Sequence, residues 1–526
     1  MLKDSEADFS SVLMKNTLWN IFSKIFVFFL GLFLTYYTVN KIGIERYGIY
    51  ALITATGGYL SLMDINASSS FVKYISEFKG LGHNRRINYL LSSGLLFYIA
   101  VSFVIIFLVL YGGNYAVSWL KIPCYLSNEA YKILIVYGFI VSFSGLFSPY
   151  NAVISGLERF DISGKVNIFL SVLNFIGSIL FLEKGYGLMG LAINNLIIVL
   201  MGGFFSLYFS YSLLPDLSVN PFLADKEMLK KIFFFGSKLQ ITRLSSVVSS
   251  HFEKIVITRM TGVSWVAFYQ IGNSLCEQAR NIPILITSAL FPAFSRLDAS
   301  GRKKDIKEIY LRGIRYVAFI AVPIMIFLSV SSKQIMLLWM GEGYSYAAQI
   351  VSILSIGYLI NTVFGAVGAA TVQGIGKPEI QMKGALFNMS LNAILSVIFI
   401  FLFGFPGAAY GTSLAMTAAV IYFIYVFHPI IEVKNRFFLK LISKIFFAGI
   451  AALIGVIAFY YFSGECDSKK DVFSAILFSG FIYSFVYFSI LIILKPFDYY
   501  DGEFFGKSKF FLIRLFKSFC SDEKHI

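Results

Sequence analysis

Fourteen stretches of mostly apolar residues, each about 20 residues long, follow one another along this chain, and that series constrains its fold more than any other feature. They lie at 17–39, 47–70, 88–111, 131–156, 164–183, 187–212, 231–258, 263–294, 313–332, 346–372, 383–403, 406–428, 439–462 and 473–494. A helix of that length crosses a hydrocarbon layer about 30 Å thick, and a lipid interior accepts only structures that satisfy their own backbone hydrogen bonds. Apolar residues make up 57% of the chain and charged residues 14%, and its 57 Phe outnumber its 44 Lys and Arg. A water-soluble chain of 526 residues carries more charge than this. The expected fold is an all-α integral membrane protein of about 14 transmembrane helices. Met1 to Ser11 carries Asp4, Glu6 and Asp8 and lacks the basic start and cleavage site of a signal peptide, so the first run is expected to stay as a helix.

The basic residues set the direction of the helices. Sorted by alternate connections, 29 of the Lys and Arg fall with the two termini and eight on the opposite side, while seven lie within or beside helices. Because cytoplasmic loops carry the excess of Lys and Arg, both termini are expected in the cytoplasm. The formal charge of +15 then describes surfaces against anionic headgroups, such as the loop Arg296 to Arg312 and the tail Lys507 to Lys517, and not a nucleic-acid site. The four cysteines are scattered and give neither a metal site nor a disulfide framework, so no metal and no cofactor are expected.

The chain is also written twice. The segment from Ser155 to Asn174 reappears 218 residues later, with Gly156 on Gly374, Arg159 on Lys377, Lys165 on Lys383 and Asn174 on Asn392. Shifted by 219, Gly43–Tyr50 falls on Gly262–Tyr269. Helices 1 and 7 both start inside, which makes the halves parallel repeats of six around a central cavity. The expected divisions are a bundle at 1–215, a linker at 216–230, a second bundle at 231–432, two further helices at 433–495 and a basic tail at 496–526.

Ionisable groups inside a bilayer are costly and mark functional pathways. In the first half they are Lys24 and Asp64; in the second, Lys238, Arg243, Glu253, Lys254, Glu277 and Arg280. All lie on the first two helices of a repeat. Asn20 and Lys24 are four apart on helix 1, and Gln270, Asn273, Glu277 and either Arg280 or Asn281 share one face of helix 8. Five cations against three carboxylates leave a surplus of two positive charges, which suits an anionic solute such as a diphosphate. Glu277 and Arg280 also have the spacing of a self-neutralising pair, a packing device with no substrate, and both readings stand. Tyr and Phe are read as lipid-facing bulk and interface belts, and His251 and His428 as structural. The sequence lacks the GxxxxGK[ST] phosphate-binding loop and any large extramembrane loop, so it is read as a transporter and not an enzyme.

Gly43-Ile-Glu-Arg-Tyr-Gly-Ile-Tyr50, Leu62-Met-Asp64 leading to Phe71-Val-Lys-Tyr74, Trp119-Leu-Lys-Ile-Pro123, Leu290–Leu297 and Gln373–Pro378 together resemble the bacterial polysaccharide transporters. The resemblance is to the O-antigen flippases above all, in the superfamily of the multidrug and toxic compound extrusion exporters and the lipid II flippase. It covers essentially the whole chain. It implies a V-shaped pair of six-helix bundles that alternates between inward-open and outward-open states. It also implies a cationic lumen for undecaprenyl-diphosphate-linked oligosaccharide in the bacterial inner membrane, with a polysaccharide polymerase and a chain-length regulator as partners. Carried over, Arg280 and Arg243 become phosphate contacts assisted by Lys24, and Asp64 sits where the family commonly has an Asp; the charge and face pattern read above adds Lys238, Glu277, Asn20, Gln270 and Asn273 to the expected substrate site. The second copy departs from the pattern in Val263–Tyr269, which lacks the Tyr-Gly pair of the first. Moving two negative charges outward is favoured by roughly 4–5 kcal/mol per 100 mV, so the membrane potential, a proton or a sodium ion are all open as the driving force. A cation-coupled drug exporter and a membrane glycan polymerase or ligase are the competing readings.

Overall fold

The computed structural model describes residues 26–463 and 468–497, and in these residues the chain is helix joined by short turns. The basic tail and the side chains of Asn20 and Lys24 lie outside the described residues, as does the side chain of Lys238. The helices are α1 (Phe26–Ile42), α2 (Ile44–Leu60), α3 (Ala67–Gly80), α4 (Asn84–Trp119), α5 (Cys124–Gly156), α6 (Phe160–Glu183), α7 (Gly187–Leu213), α8 (Lys226–Met260) and α9 (Val263–Ala299). They continue with α10 (Lys303–Val330), α11 (Ser332–Trp339), α12 (Ser345–Ile360), α13 (Val367–Gly374), α14 (Pro378–Phe403), α15 (Gly407–Phe427), α16 (Asn435–Ser463) and α17 (Lys469–Leu494). Ten spans among the described residues are long and apolar enough to cross a membrane, and the protein is a multi-pass membrane protein. The other four expected spans differ for visible reasons. The described part of α1 is short, α2 and α3 are two pieces of one span, and α8 and α9 carry the polar stripes.

By its internal packing the chain divides into two compact units, Met1–Ala267 and Phe268–Ile526. In the first, α3, α4, α5 and α8 share a core around Phe71, Phe78, Tyr98, Val153 and Ile232, all at most 2% exposed. The linker after α7 is bound to α4. Asn88 donates to the Asp216 carbonyl (3.1 Å) and accepts from the Ser218 amide (3.2 Å), Ser92 accepts from the Asn220 amide (3.0 Å), and Ser93 accepts from the Asp225 amide (2.8 Å). Asp225 then caps α8 by accepting the Met228 amide at 3.1 Å. The helix therefore starts five residues before the expected 231, because a capped first turn of Lys and Glu is invisible to hydropathy.

The two segments matched by the 218-residue shift end their helices alike, in a bond pattern that also closes α3, α4 and α6. At the end of α5, Leu157, Glu158 and Arg159 donate to Val153, Ser155 and Ile154. At the end of α13, Ile375, Gly376 and Lys377 donate to Thr371, Gln373 and Val372, the same three bonds 218 residues on. Both are helix ends closed through one left-handed residue, Glu158 at φ 59° and Gly376 at φ 68°. The copies differ in strain, since a side chain in that conformation costs roughly 1–2 kcal/mol and Gly adopts it freely. Glu158→Gly is expected to raise stability by about 1 kcal/mol, read as a higher unfolding midpoint in detergent; an unchanged or lower midpoint would contradict the assignment. Inside the bundles the contacts of the matched residues differ. Asn194 on α7 donates to Asn174 (2.8 Å) and Ser178 (3.0 Å) on α6, while the equivalent Asn392 and Ser396 of α14 are bonded at 2.7 Å.

Candidate functional site

In the first unit the polar residues gather where helix 2 breaks. Ser61–Asp64 forms a 3₁₀ turn, and Ile65 (φ 49°) and Asn66 (φ 51°) are both left-handed before α3 begins. The sequence reading placed one continuous helix over 47–70. The two left-handed residues cost roughly 1–3 kcal/mol each, and Ile65 is β-branched, so neighbouring structure must hold them. That structure is α8. Gln240 donates to the Leu62 carbonyl (2.7 Å) and Ser70 donates to the Ile232 carbonyl (3.0 Å). Gly236 lies so close that a Cβ there would sit 2.4 Å from the Ile65 carbonyl oxygen, which only glycine permits.

Asp64 sits at the break with both oxygens engaged. One is ion-paired with the Arg243 guanidinium from α8, and the other accepts the Tyr98 hydroxyl from α4. Tyr98 is 1% exposed and its hydroxyl also lies 3.1 Å from Ser148 Oγ on α5. The ion pair is less enclosed, with Arg243 28% and Asp64 17% exposed. Two residues separately expected at the substrate site are thus bound to each other. Glu253 and Lys254, further along α8, are buried.

In the second unit the polar face of α9 meets Tyr358 on α12. Asn273 accepts the Tyr358 hydroxyl at 2.8 Å, Glu277 lies 3.4 Å from the same oxygen, and the Arg280 guanidinium stands over the ring, 5.0 Å from its centre. Three of the four residues expected on that face come together on one aromatic side chain. Gln270, the fourth, has a buried amide oxygen without a partner among the described residues. Arg280 and Glu277 do not form an ion pair. Arg280 Nε is buried and has no hydrogen-bond partner among the described residues. Three residues after Tyr358 the chain makes a π-helical turn, Asn361–Ala366, in which the buried Thr362 hydroxyl is also without a partner among the described residues. Such turns concentrate at functional sites.

Tyr98 and Tyr358 were not foreseen, because the abundance of Tyr was read as lipid-facing bulk. Both are buried and orient the charged residues. No spacing rule links Asp64 to a Tyr 34 residues away or to an Arg 179 residues away. His428 fits the structural role expected of it, buried between the Tyr310 hydroxyl (3.1 Å) and Asn435 (2.5 Å).

Known proteins carry related chains. A protein of Shigella flexneri assigned as an O-antigen transporter is 24% identical over 382 residues, 70% of this chain and 86% of its own length. A Haloferax volcanii protein assigned as a flippase of low-salt glycan biosynthesis is 20% identical over 456 residues, 85% of this chain and 89% of its own. Among solved structures, the lipid II flippase MurJ in an inward closed conformation shares the fold. The TM-score is 0.73 at 18% identity, covering 91% of this chain and 98% of that one. These relatives are named for transport and not for bond-making chemistry. The sequence model of a family described as polysaccharide biosynthesis protein matches residues 42–349, more than half of the chain, and the protein belongs to that family.

Proposed function

We propose that this protein is a flippase that carries an undecaprenyl-diphosphate-linked oligosaccharide, an O-antigen or similar surface repeat unit, from the cytoplasmic to the periplasmic face of a bacterial inner membrane. The single observation that carries the reading is Arg280. A guanidinium on a predicted span, with a buried N–H that has no partner and no paired carboxylate among the described residues, suits an anionic ligand, and Arg holds phosphate oxygens in pairs. Tyr358 gives that cation a fixed platform, and beside Asn273 and Gln270 it supplies groups that pair with sugar hydroxyls. The relatives assigned as an O-antigen transporter and a glycan flippase point to the same class of cargo.

On this reading both termini are cytoplasmic, transport proceeds by alternating access along a cationic path, and the two bundles of six and the two last helices are the divisions expected from the repeat. Outward movement of the diphosphate along the membrane potential, or coupling to a proton or a sodium ion, supplies the energy. Lys24 and Lys238 are further cations for the same diphosphate. The test is a deletion strain: lipid-linked repeat units should accumulate on the cytoplasmic leaflet and surface polysaccharide should disappear, both reversed by the wild-type gene. Normal export in the deletion, or sensitivity to cationic dyes as its main defect, would overturn the reading.

A further inference from the structure

The pair formed by Asp64 and Arg243 has a geometry that a ligand could replace. A guanidinium presents the same fork of N–H groups to a carboxylate and to a phosphate. Here a carboxylate from the chain occupies it, in a place partly open to solvent. We propose that Asp64 stands on Arg243 in place of the cargo's diphosphate, and that the exchange of one for the other unfastens α8 from the break in helix 2. The proposal rests on the phosphate-binding function given above and adds the residue that competes with the cargo.

Three observations support the exchange. First, Asp64 keeps a partner when Arg243 leaves it. The Tyr98 hydroxyl is already donated to its other oxygen, so the carboxylate is not stranded without a hydrogen bond. Second, the segment it anchors is held under strain. The left-handed Ile65 and Asn66 persist beneath Gln240, Gly236 and the Ser70 bond to Ile232, and Arg243 is the charged member of that clamp. Third, the repeat contains the other conformation. By the 219-residue shift that aligns Gly43 with Gly262, Ser61–Asn66 falls on Arg280–Leu285, and α9 runs through those residues unbroken. A segment broken in one copy and continuous in the other is a two-state element of the kind that ligands bias.

The experiment uses the purified full chain in lipid nanodiscs and inorganic pyrophosphate as the probe. Hydrogen exchange is followed over residues 60–70 and 232–244, and the pyrophosphate Kd is measured in parallel. In the wild type, saturating pyrophosphate should speed exchange in both segments. Asp64→Asn should exchange fast without pyrophosphate and bind it about tenfold more tightly, the scale of one charge-assisted hydrogen bond released from competition. Tyr98→Phe should do the opposite. With the hydroxyl gone, Asp64 holds Arg243 as its strong partner, and pyrophosphate binding should weaken, so this variant carries the test if Asp64→Asn fails to insert. Arg243→Gln should lose the pyrophosphate effect. An equal Kd in the wild type and Asp64→Asn overturns the exchange, because a merely structural pair would alter hydrogen exchange alone. Binding kept by Arg243→Gln and lost by Arg280→Ala also overturns it, while leaving the transport reading intact. Failure of both the wild type and Asp64→Asn to bind pyrophosphate overturns the exchange together with the phosphate role of Arg243.

Discussion

Arg280→Ala is expected to lower surface polysaccharide at least about tenfold while the protein still inserts at its normal level. On the proposed function, the size follows from losing a charge-assisted contact to the diphosphate, about 1.5–3 kcal/mol. Normal insertion is expected because Arg280 pairs with no carboxylate among the described residues, and Tyr358 remains fixed by Asn273 when the guanidinium above it is removed. Arg280→Lys should recover part of the activity, since it restores the charge without the planar fork. Glu277→Gln, which keeps an acceptor 3.4 Å from Tyr358, should have a smaller effect than either. Immunoblots of surface polysaccharide beside the membrane level of each variant give the comparison. Wild-type polysaccharide in Arg280→Ala would remove this residue from the cargo site.

The second large effect is structural and lies in the seam between α14 and α15. Gly407 and Gly411 are four apart, the small-xxx-small spacing that lets helix backbones touch in a membrane. A Cβ on Gly407 would lie 2.0 Å from the Phe399 carbonyl oxygen, and one on Gly411 would lie 2.7 Å from the Ser396 amide nitrogen. Both obstacles are backbone, which cannot swing aside as a side chain can. Gly411→Leu is therefore expected to cost about 3 kcal/mol or more, the upper range of overpacking, and to lower the yield of folded protein. Gly384→Ala on the same α14 is the control, because its added methyl would meet nothing within 4 Å. Unfolding midpoints of the two variants in detergent should separate clearly; similar midpoints would mean that the seam relaxes without loss.

How much of this was legible in the sequence depends on the range of the interaction. Local periodicity placed Asn273 and Glu277 on one face of a helix with either Arg280 or Asn281, and the structure seats Asn273, Glu277 and Arg280 on Tyr358. The 218-residue shift, read from a few Gly, Lys and Asn matches, pairs two helix ends at 153–159 and 371–377 that close alike, in a pattern that α3, α4 and α6 also use. The break in helix 2 was not legible, because Ser61-Leu-Met-Asp-Ile-Asn66 holds neither Gly nor Pro and its two left-handed residues are held there by α8, more than 160 residues away. The partner of Asp64 was hidden for the same reason. Sequence spacing identifies charges on a shared helix face, whereas a pair made across helices depends on how the bundle closes.

The wide turn at Asn361–Ala366 has a consequence of its own. It holds one residue more than an α-helical turn, so the faces of α12 and α13 are out of phase by about 100° compared with a regular helix. The face that aims Tyr358 at α9 and the face that α13 presents to α10 and α14 are therefore not one continuous stripe. Substitutions that retune the ring beneath Arg280 can accumulate on α12 without passing through the packing of α13, so that on the proposed function a lineage could change what Arg280 binds while leaving the rest of that span as it was.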